Sequence, residues 1–535
     1  MTIEAQPMST DRISLTGSGG FAWLPWVVGI ACLVPLFLTP VLPLSDFYAH
    51  IARYFILVEA GSDPVIGASY EPAWSLLPNL GLDIFGAALI SVLPPLVTAK
   101  VIGAMVILSP FLGVVLLSRV LHGQVQPIAV FIGGILVFSQ ILVWGFANFL
   151  IGLGLVLMGI ALWISTRDRP GLQMATSAVF GVLLLFVHGL AFALWGLMLG
   201  CIELMDWKPR REGVMRLVLR MLRLAALAVV PVFLFTRMNT AGSDDGITAA
   251  FANLAAHAEQ GQMMIRILDE IWQRIDGMLR VADSQIRPID WISGLAMWGV
   301  LGLAVKSGVL RVHRAMWLAI ALAALLVPFI PPNFFGVGHV DERAPLLLLA
   351  LIGAAASLSP VAAPRAARLT LGFFAGLCIL RLGLVSWGWQ QDGRQYALFL
   401  DAIRGQDTGE LGVPLFIADV SDRPLPTGRV NCKPYLFLLT LENRTVTATF
   451  ANPTEQPLRL TGPLLAAYQS MAQMRPDDDS TVYAPPTEVV QHLQVMAAAG
   501  FDTIVACSAG PMAPPPAGFA TLGTGRGWAI YAPRP

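Results

Sequence analysis

FAWLPWVVGIACLVPLFLTPVL, residues 21–42, contains no charged side chain, and PLSDFYAHIAR, residues 43–53, directly follows with a carboxylate, an imidazole and a guanidinium. The first string has the length and composition of a helix that crosses a bilayer, which takes about 20 apolar residues. It is too long for the apolar core of a signal peptide and lacks a small-residue cleavage site, so it reads as a retained anchor. The pattern recurs along the chain. Ala99–Leu117, Phe149–Trp163 and Ala344–Leu358 are almost free of charge. Across the 535 residues 56% are hydrophobic and 13% charged, about half the charged share of a soluble domain. A large soluble protein with buried helices would need polar faces that these blocks lack.

Lys plus Arg equals Asp plus Glu at 34 each, a balance that points to no nucleic-acid partner. The placement of those charges says more. Lys208, Arg210, Arg211, Arg216, Arg220 and Arg223 cluster, with smaller groups at Arg167/Arg169, Lys306/Arg311/Arg314 and Arg365/Arg368. The loop after the first span is acidic instead, with Asp46, Glu59, Asp63, Glu71 and Asp83 against Arg53. Basic loops stay in the cytoplasm, so the N-terminus is expected inside and the first loop outside. Met174–Leu204 is too long for one span. Reading it as two short helices that meet near His188-Gly189 keeps the Lys208–Arg211 cluster inside. The count becomes about eleven spans, with the C-terminus outside.

The expected organisation is a cytoplasmic tail over residues 1–20 and a membrane domain over 21–390, with outward loops at 44–95 and 237–286. The last span is expected to end near Trp387–Trp389. A periplasmic α/β domain follows over 391–535. In that domain Val413–Val420, Arg444–Ala451, Thr503–Cys507 and Trp528–Tyr531 read as strands, and Pro486–Ala499 as a helix. Segment 237–286, with Arg266, Arg274 and Arg280 among acidic residues, reads as interfacial helix. Cys32, Cys201 and Cys378 lie in apolar spans as small hydrophobes. Cys432 and Cys507 fall in the outward domain, where oxidising conditions permit a disulfide that sequence alone does not assign. HExxH, GxSxG and CxxC are absent from the sequence.

A helix that starts at Ser45 would put Asp46, His50 and Arg53 at i, i+4 and i+7 on one face, with Phe47, Ile51 and Phe55 on another against lipid or neighbouring helices. The same spacing also suits an interfacial helix with a solvated polar face. A second polar group, Gly338-His339-Val340-Asp341-Glu342-Arg343, sits at the entrance of an apolar span. Arg343 there can anchor the span to lipid phosphate or bind a substrate's phosphate. Lys100 and His188 are further ionisable groups near the outer boundary.

With the turn WGFANFLIG at residues 144–152, this arrangement resembles the GT-C superfamily of membrane glycosyltransferases. The resemblance covers residues 20–390 as architecture. It implies a GT-C-like polytopic fold in a bacterial inner membrane. It further implies transfer of a sugar from a polyprenyl-phosphate-linked donor to a glycan, lipid or protein acceptor. Asp46 matches the acidic residue that opens the first outward loop and would act as general base. His50, Arg53, Lys100, His339 and Arg343 would stabilise the lipid phosphate. The sequence departs from the superfamily's paired acidic motif, since Phe47 follows Asp46. Asp63, Glu71 or Asp341 are the candidates for a second carboxylate, and use of a divalent cation (Mg or Mn) stays open. The alternatives are a transporter or flippase of lipid-linked or small polar substrates and an O-antigen-type polymerase or ligase.

Overall fold

The computed structural model describes residues 22–238, 263–331, 338–404, 409–417, 424–425, 428–429, 432–447, 451, 456–474, 482–484, 487–508 and 512–534. The tail over 1–20, and residues 239–262 of the segment read as interfacial, lie outside the described residues. Eight described helices are long and apolar enough to cross a membrane. They are Pro95–His122, Pro127–Trp144, Ala147–Ser165, Pro170–Val187, Gly189–Asp206, Val214–Arg237, Arg287–Lys306 and Pro364–Arg404. Shorter apolar helices occupy Leu24–Phe37, Leu80–Ile90 and Arg314–Phe329. The chain is a polytopic α-helical membrane protein with a C-terminal α/β module.

The break expected near His188 is present. One helix ends at Val187 and the next begins at Gly189, with His188 extended between them at φ −166° and ψ 116°. Because successive helices alternate in direction, the basic clusters gather at one end of the bundle. Asp46, the Trp144 turn, His188 and His339 gather at the other. Small residues let the central pair, Pro95–His122 and Ala147–Ser165, approach at backbone distance. A Cβ on Gly113 would stand 2.7 Å from the Gly154 carbonyl oxygen. Close van der Waals contact of this kind, rather than water exclusion, holds helices together in lipid.

The Pro364–Arg404 helix runs 41 residues and does not stop at Trp387–Trp389. Its continuation carries the C-terminal module: Phe399 packs against Trp528 and Tyr435 at ring distances of 5.2 and 4.9 Å. The module's sheet runs in the order Phe519–Gly525, Trp528–Pro533, Thr503–Cys507, Leu411–Ile417, Thr445–Val446, with Val482–Ala484 also pairing with Leu411–Ile417. Thr503–Cys507, buried at every position, lies between a parallel and an antiparallel partner. Cys432 and Cys507 form a disulfide with Cα atoms 5.9 Å apart.

The first loop is tied into this module. Tyr70–Pro72 pairs antiparallel with Leu458–Leu460, and Glu71 accepts a 2.8 Å hydrogen bond from Arg459 Nε. The Tyr70 hydroxyl donates to the Val446 carbonyl at 2.5 Å and accepts from its N–H at 2.7 Å.

Candidate functional site

Asp46 stands at the N-cap position of the Phe47–Glu59 helix, without capping that helix through its side chain. Its backbone is held from across the bundle. Ser45 N donates to Val143 O and Asp46 N to Trp144 O, both at 2.9 Å. The turn behind them closes at Gly145, with φ +83°, where a Cβ would lie 2.4 Å from the Phe47 nitrogen. Only glycine meets both demands, the left-handed backbone and the close approach. The carboxylate so positioned takes a partner that spacing could not reveal: Lys433 Nζ, from the C-terminal module, donates to Asp46 Oδ1 at 2.6 Å.

Asp46, His50 and Arg53, expected to converge, take partners from different parts of the chain. Arg53 Nη2 meets His50 Nδ1 at 2.7 Å, but Arg53 Nε donates to Asp83 Oδ1 at 2.7 Å. Arg53 and Asp83 are 1% and 3% exposed as side chains. Arg53 is therefore half of a buried ion pair between two helices of the first loop, and is not presented to a ligand. Burial, and then the Arg53 cation, hold the His50 imidazole well below its usual pKa. Of the two settings open to Phe47, Ile51 and Phe55, lipid or neighbouring helices, the structure takes the second, and all three are buried. Lys433–Thr440 of the module packs against this helix, and from Phe47 to Ile56 every residue but His50 is buried.

Three separated segments meet at Trp144. Its indole N–H donates to Glu342 Oε2 at 2.9 Å, and its ring stacks on His339 at 5.0 Å. His339, at φ +54°, stands at the N-cap position of the Val340–Ala355 helix without capping it through its side chain, and its Nδ1 lies 3.3 Å from Glu342 Oε1. One position on, Arg343 is 6% exposed. Its guanidinium lies over Phe146 at 4.7 Å and Phe149 at 5.0 Å, and Nη1 is 3.2 Å from His188 Nε2. Its Nε has no hydrogen-bond partner among the described residues. Arg343 also lines a shallow apolar groove with Leu190, Leu194, Leu326, Ile330, Val340 and Leu347. Lys100 is half-buried one turn from Gly103, whose Cβ position would touch Leu42 and Phe47. It therefore shares the helix face turned towards the Asp46 segment.

The secondary carboxylates do not join Asp46 in a metal site. Asp63 caps a short helix, accepting from Val65 N and Ile66 N at 2.9 Å. Arg459 holds Glu71, mainly by hydrogen bonding, below the usual carboxylate range. Asp341 pairs with Arg274 at 2.9 Å. Each is committed elsewhere, and a lysine ammonium occupies Asp46. The donor set does not fit a divalent cation, and among the described residues no group of three or more His, Cys, Asp or Glu side chains gathers.

A second polar cluster escaped the sequence reading. Arg381, on the last apolar helix, donates to Asp290 Oδ1 and Ser293 Oγ. Ser284 donates to the same Asp290 oxygen through N at 2.9 Å and Oγ at 2.7 Å. Arg280 bridges Asp276 and Asp283 at 2.8 and 2.9 Å. The signal was available: a charged residue inside an apolar span marks a buried partner or a site. Here it joins the 276–293 segment to the last helix.

Fold and site together define a polytopic membrane protein that gathers a carboxylate, an aromatic turn and a buried arginine at the end of the bundle opposite its basic clusters. No protein-family model matches the sequence, and neither does any curated protein. Two of the solved structures that resemble the chain cover nearly all of it. The crystal structure of ArnT from Cupriavidus metallidurans in the apo state is 14% identical, with a TM-score of 0.49, over 96% of this chain and 98% of that one. The cryo-EM structure of a mutant of the arabinofuranosyltransferase AftD from Mycobacteria is 15% identical, with a TM-score of 0.44, over 97% of this chain and 42% of that one. Likeness this distant carries no assignment of activity.

Proposed function

We propose that the chain is a membrane glycosyltransferase of the GT-C kind, moving a sugar from a polyprenyl-phosphate-linked donor to an acceptor hydroxyl on the outer face of a bacterial inner membrane. The observation that carries this reading is Arg343. A guanidinium 6% exposed, with an N–H left unpaired among the described residues, lines a shallow apolar groove between helices. An unpaired buried donor costs roughly 1–3 kcal/mol, a penalty that a bound anion would remove. Phosphate suits the guanidinium fork, and an isoprenoid chain suits a groove lined by leucine and isoleucine. Lys100 and His339 supply further positive charge or hydrogen-bond donors at the same end.

In the transfer step Asp46 accepts the proton of the acceptor hydroxyl. The freed oxygen forms a bond to the sugar's anomeric carbon. The bond from that carbon to the phosphate oxygen breaks, and polyprenyl phosphate leaves with the electron pair. The Arg343 guanidinium stabilises the charge that develops there. The acceptor is a glycan, a lipid or a protein that reaches Asp46 from the side of the C-terminal module.

Binding of a C55 polyprenyl monophosphate to the full-length protein in nanodiscs tests the phosphate site. Arg343→Ala is expected to weaken it at least tenfold, and Arg343→Lys by less. Unchanged binding in a folded Arg343→Ala protein overturns the phosphate assignment. Full transfer by a folded, membrane-inserted Asp46→Asn protein overturns the base assignment.

A further inference from the structure

The ion pair between Asp46 and Lys433 sets a problem for a base. A carboxylate with an ammonium 2.6 Å from one oxygen is poorly available to an uncharged hydroxyl, which competes weakly with a cation. The pair is also not fully sealed, since the Lys433 and Asp46 side chains are 26% and 14% exposed. Whatever enters this end of the bundle can therefore reach it.

The backbone beneath Lys433 is fixed. Cys432, one residue before it, is joined through the disulfide to the central strand of the module's sheet. Pro434 stiffens the first turn of the Lys433–Thr440 helix. Leu436, Phe437, Leu438 and Leu439 are no more than 1% exposed. The Tyr70 hydroxyl and the paired strands lock the module to the first loop from a second direction. With the backbone pinned, only the flexible four-carbon stem can move the charge. A lysine held in this way can exchange one anion for another within reach of its stem, without any motion of the module.

We infer that Lys433 is a switchable counterion: it holds Asp46 in the resting site and passes to the donor's phosphate when that anion arrives, releasing Asp46 for the acceptor. This rests on the glycosyltransferase reading and deepens it. It makes the C-terminal module part of the active site, and it fixes an order in which the anionic donor binds before the neutral acceptor. Lys433 is a positioning residue for Asp46 and a binding residue for the phosphate. Arg343 remains the fixed cation.

The inference has a signature that a merely structural ion pair lacks, because the two partners respond in opposite directions. The probe is C55 polyprenyl monophosphate, titrated into the full-length, disulfide-intact protein in nanodiscs. Lys433→Ala is expected to weaken binding about tenfold, and Lys433→Arg to restore it to within about threefold. Asp46→Asn is expected to tighten binding several-fold, since a neutral amide competes with the phosphate for the lysine less than the Asp46 carboxylate does. The double variant is expected to bind like Lys433→Ala alone. A structural pair would make Asp46→Asn neutral or harmful, and that result overturns the inference. If Arg343→Ala abolishes binding while Lys433→Ala leaves it unchanged, the function stands and the switch falls. If the wild-type protein does not bind the probe at all, both fall together.

Discussion

Replacing Arg53 by Met separates a structural cation from a ligand-binding one. The Arg53–Asp83 pair is 2.7 Å long with both side chains almost wholly buried, so the change leaves a carboxylate without its counter-charge inside the protein. Removing one member of a buried pair costs about 3–5 kcal/mol. Loss of the contact with His50, also 2.7 Å, adds about 1 kcal/mol. The expected loss is about 4–6 kcal/mol, roughly a thousandfold or more in the folded-to-unfolded ratio. Replacing both charges, Arg53→Met with Asp83→Leu, should return stability to within about 1 kcal/mol of wild type, because a well-packed apolar pair is often as good as a buried ion pair. The assay is a double-mutant cycle by denaturant unfolding in detergent micelles. Binding of C55 polyprenyl monophosphate is measured on the folded double variant, and wild-type affinity is expected. A single variant that loses under about 1 kcal/mol, or a folded double variant that no longer binds, would refute the structural assignment and return Arg53 to the ligand.

Gly145→Ala should lower stability by at least about 1–2 kcal/mol from the left-handed backbone alone. Its new Cβ, 2.4 Å from the Phe47 nitrogen, should also displace Asp46, so transfer activity falls even below the melting temperature. A Gly145→Ala protein with wild-type turnover would show that the turn does not set the position of Asp46. The contact between Glu71 and Arg459 should depend on acid. Because the hydrogen bond holds the folded carboxyl below the usual range, its stabilisation is complete above the unfolded value. It is lost as pH falls through the depressed folded value. Hydrogen exchange at the Tyr70 and Glu71 amides should therefore quicken only under acid conditions. Glu71→Gln should remove that pH dependence, and an unchanged acid response in this variant would assign it to another group.

Much of the membrane architecture was legible because hydropathy and charge act over whole segments. The break at His188 was forced by two facts, a stretch too long for one span and a basic cluster that had to stay on one side. Thr503–Cys507 and Trp528–Tyr531 were readable from short apolar runs, and the second strand continues to Pro533. The site was legible in its parts and not in its pairings. Helical spacing does put Asp46, His50 and Arg53 near one another, but spacing says nothing about competing partners far away in the chain. Asp83 claims Arg53 from thirty positions on, and Lys433 claims Asp46 from 387 positions on. The meeting of Trp144 with Glu342 and of Arg343 with His188 is of the same kind. Arg381 was different, since its place in an apolar helix already called for a buried partner.

The strand pair that joins Tyr70–Pro72 to Leu458–Leu460 also has a consequence for biogenesis. Glu71 and Arg459 are 388 positions apart. At roughly 5–20 residues per second, translation separates them by about 20–80 s. Throughout that interval the first loop is already made and its backbone groups at Tyr70–Pro72 have no strand to pair with. Lys433 is also still to come, so Asp46 exists before its counterion does. The polar end of the bundle is therefore completed only when residues 433–460 have been made. A ribosome that stalls before them leaves a set of membrane helices without a finished site.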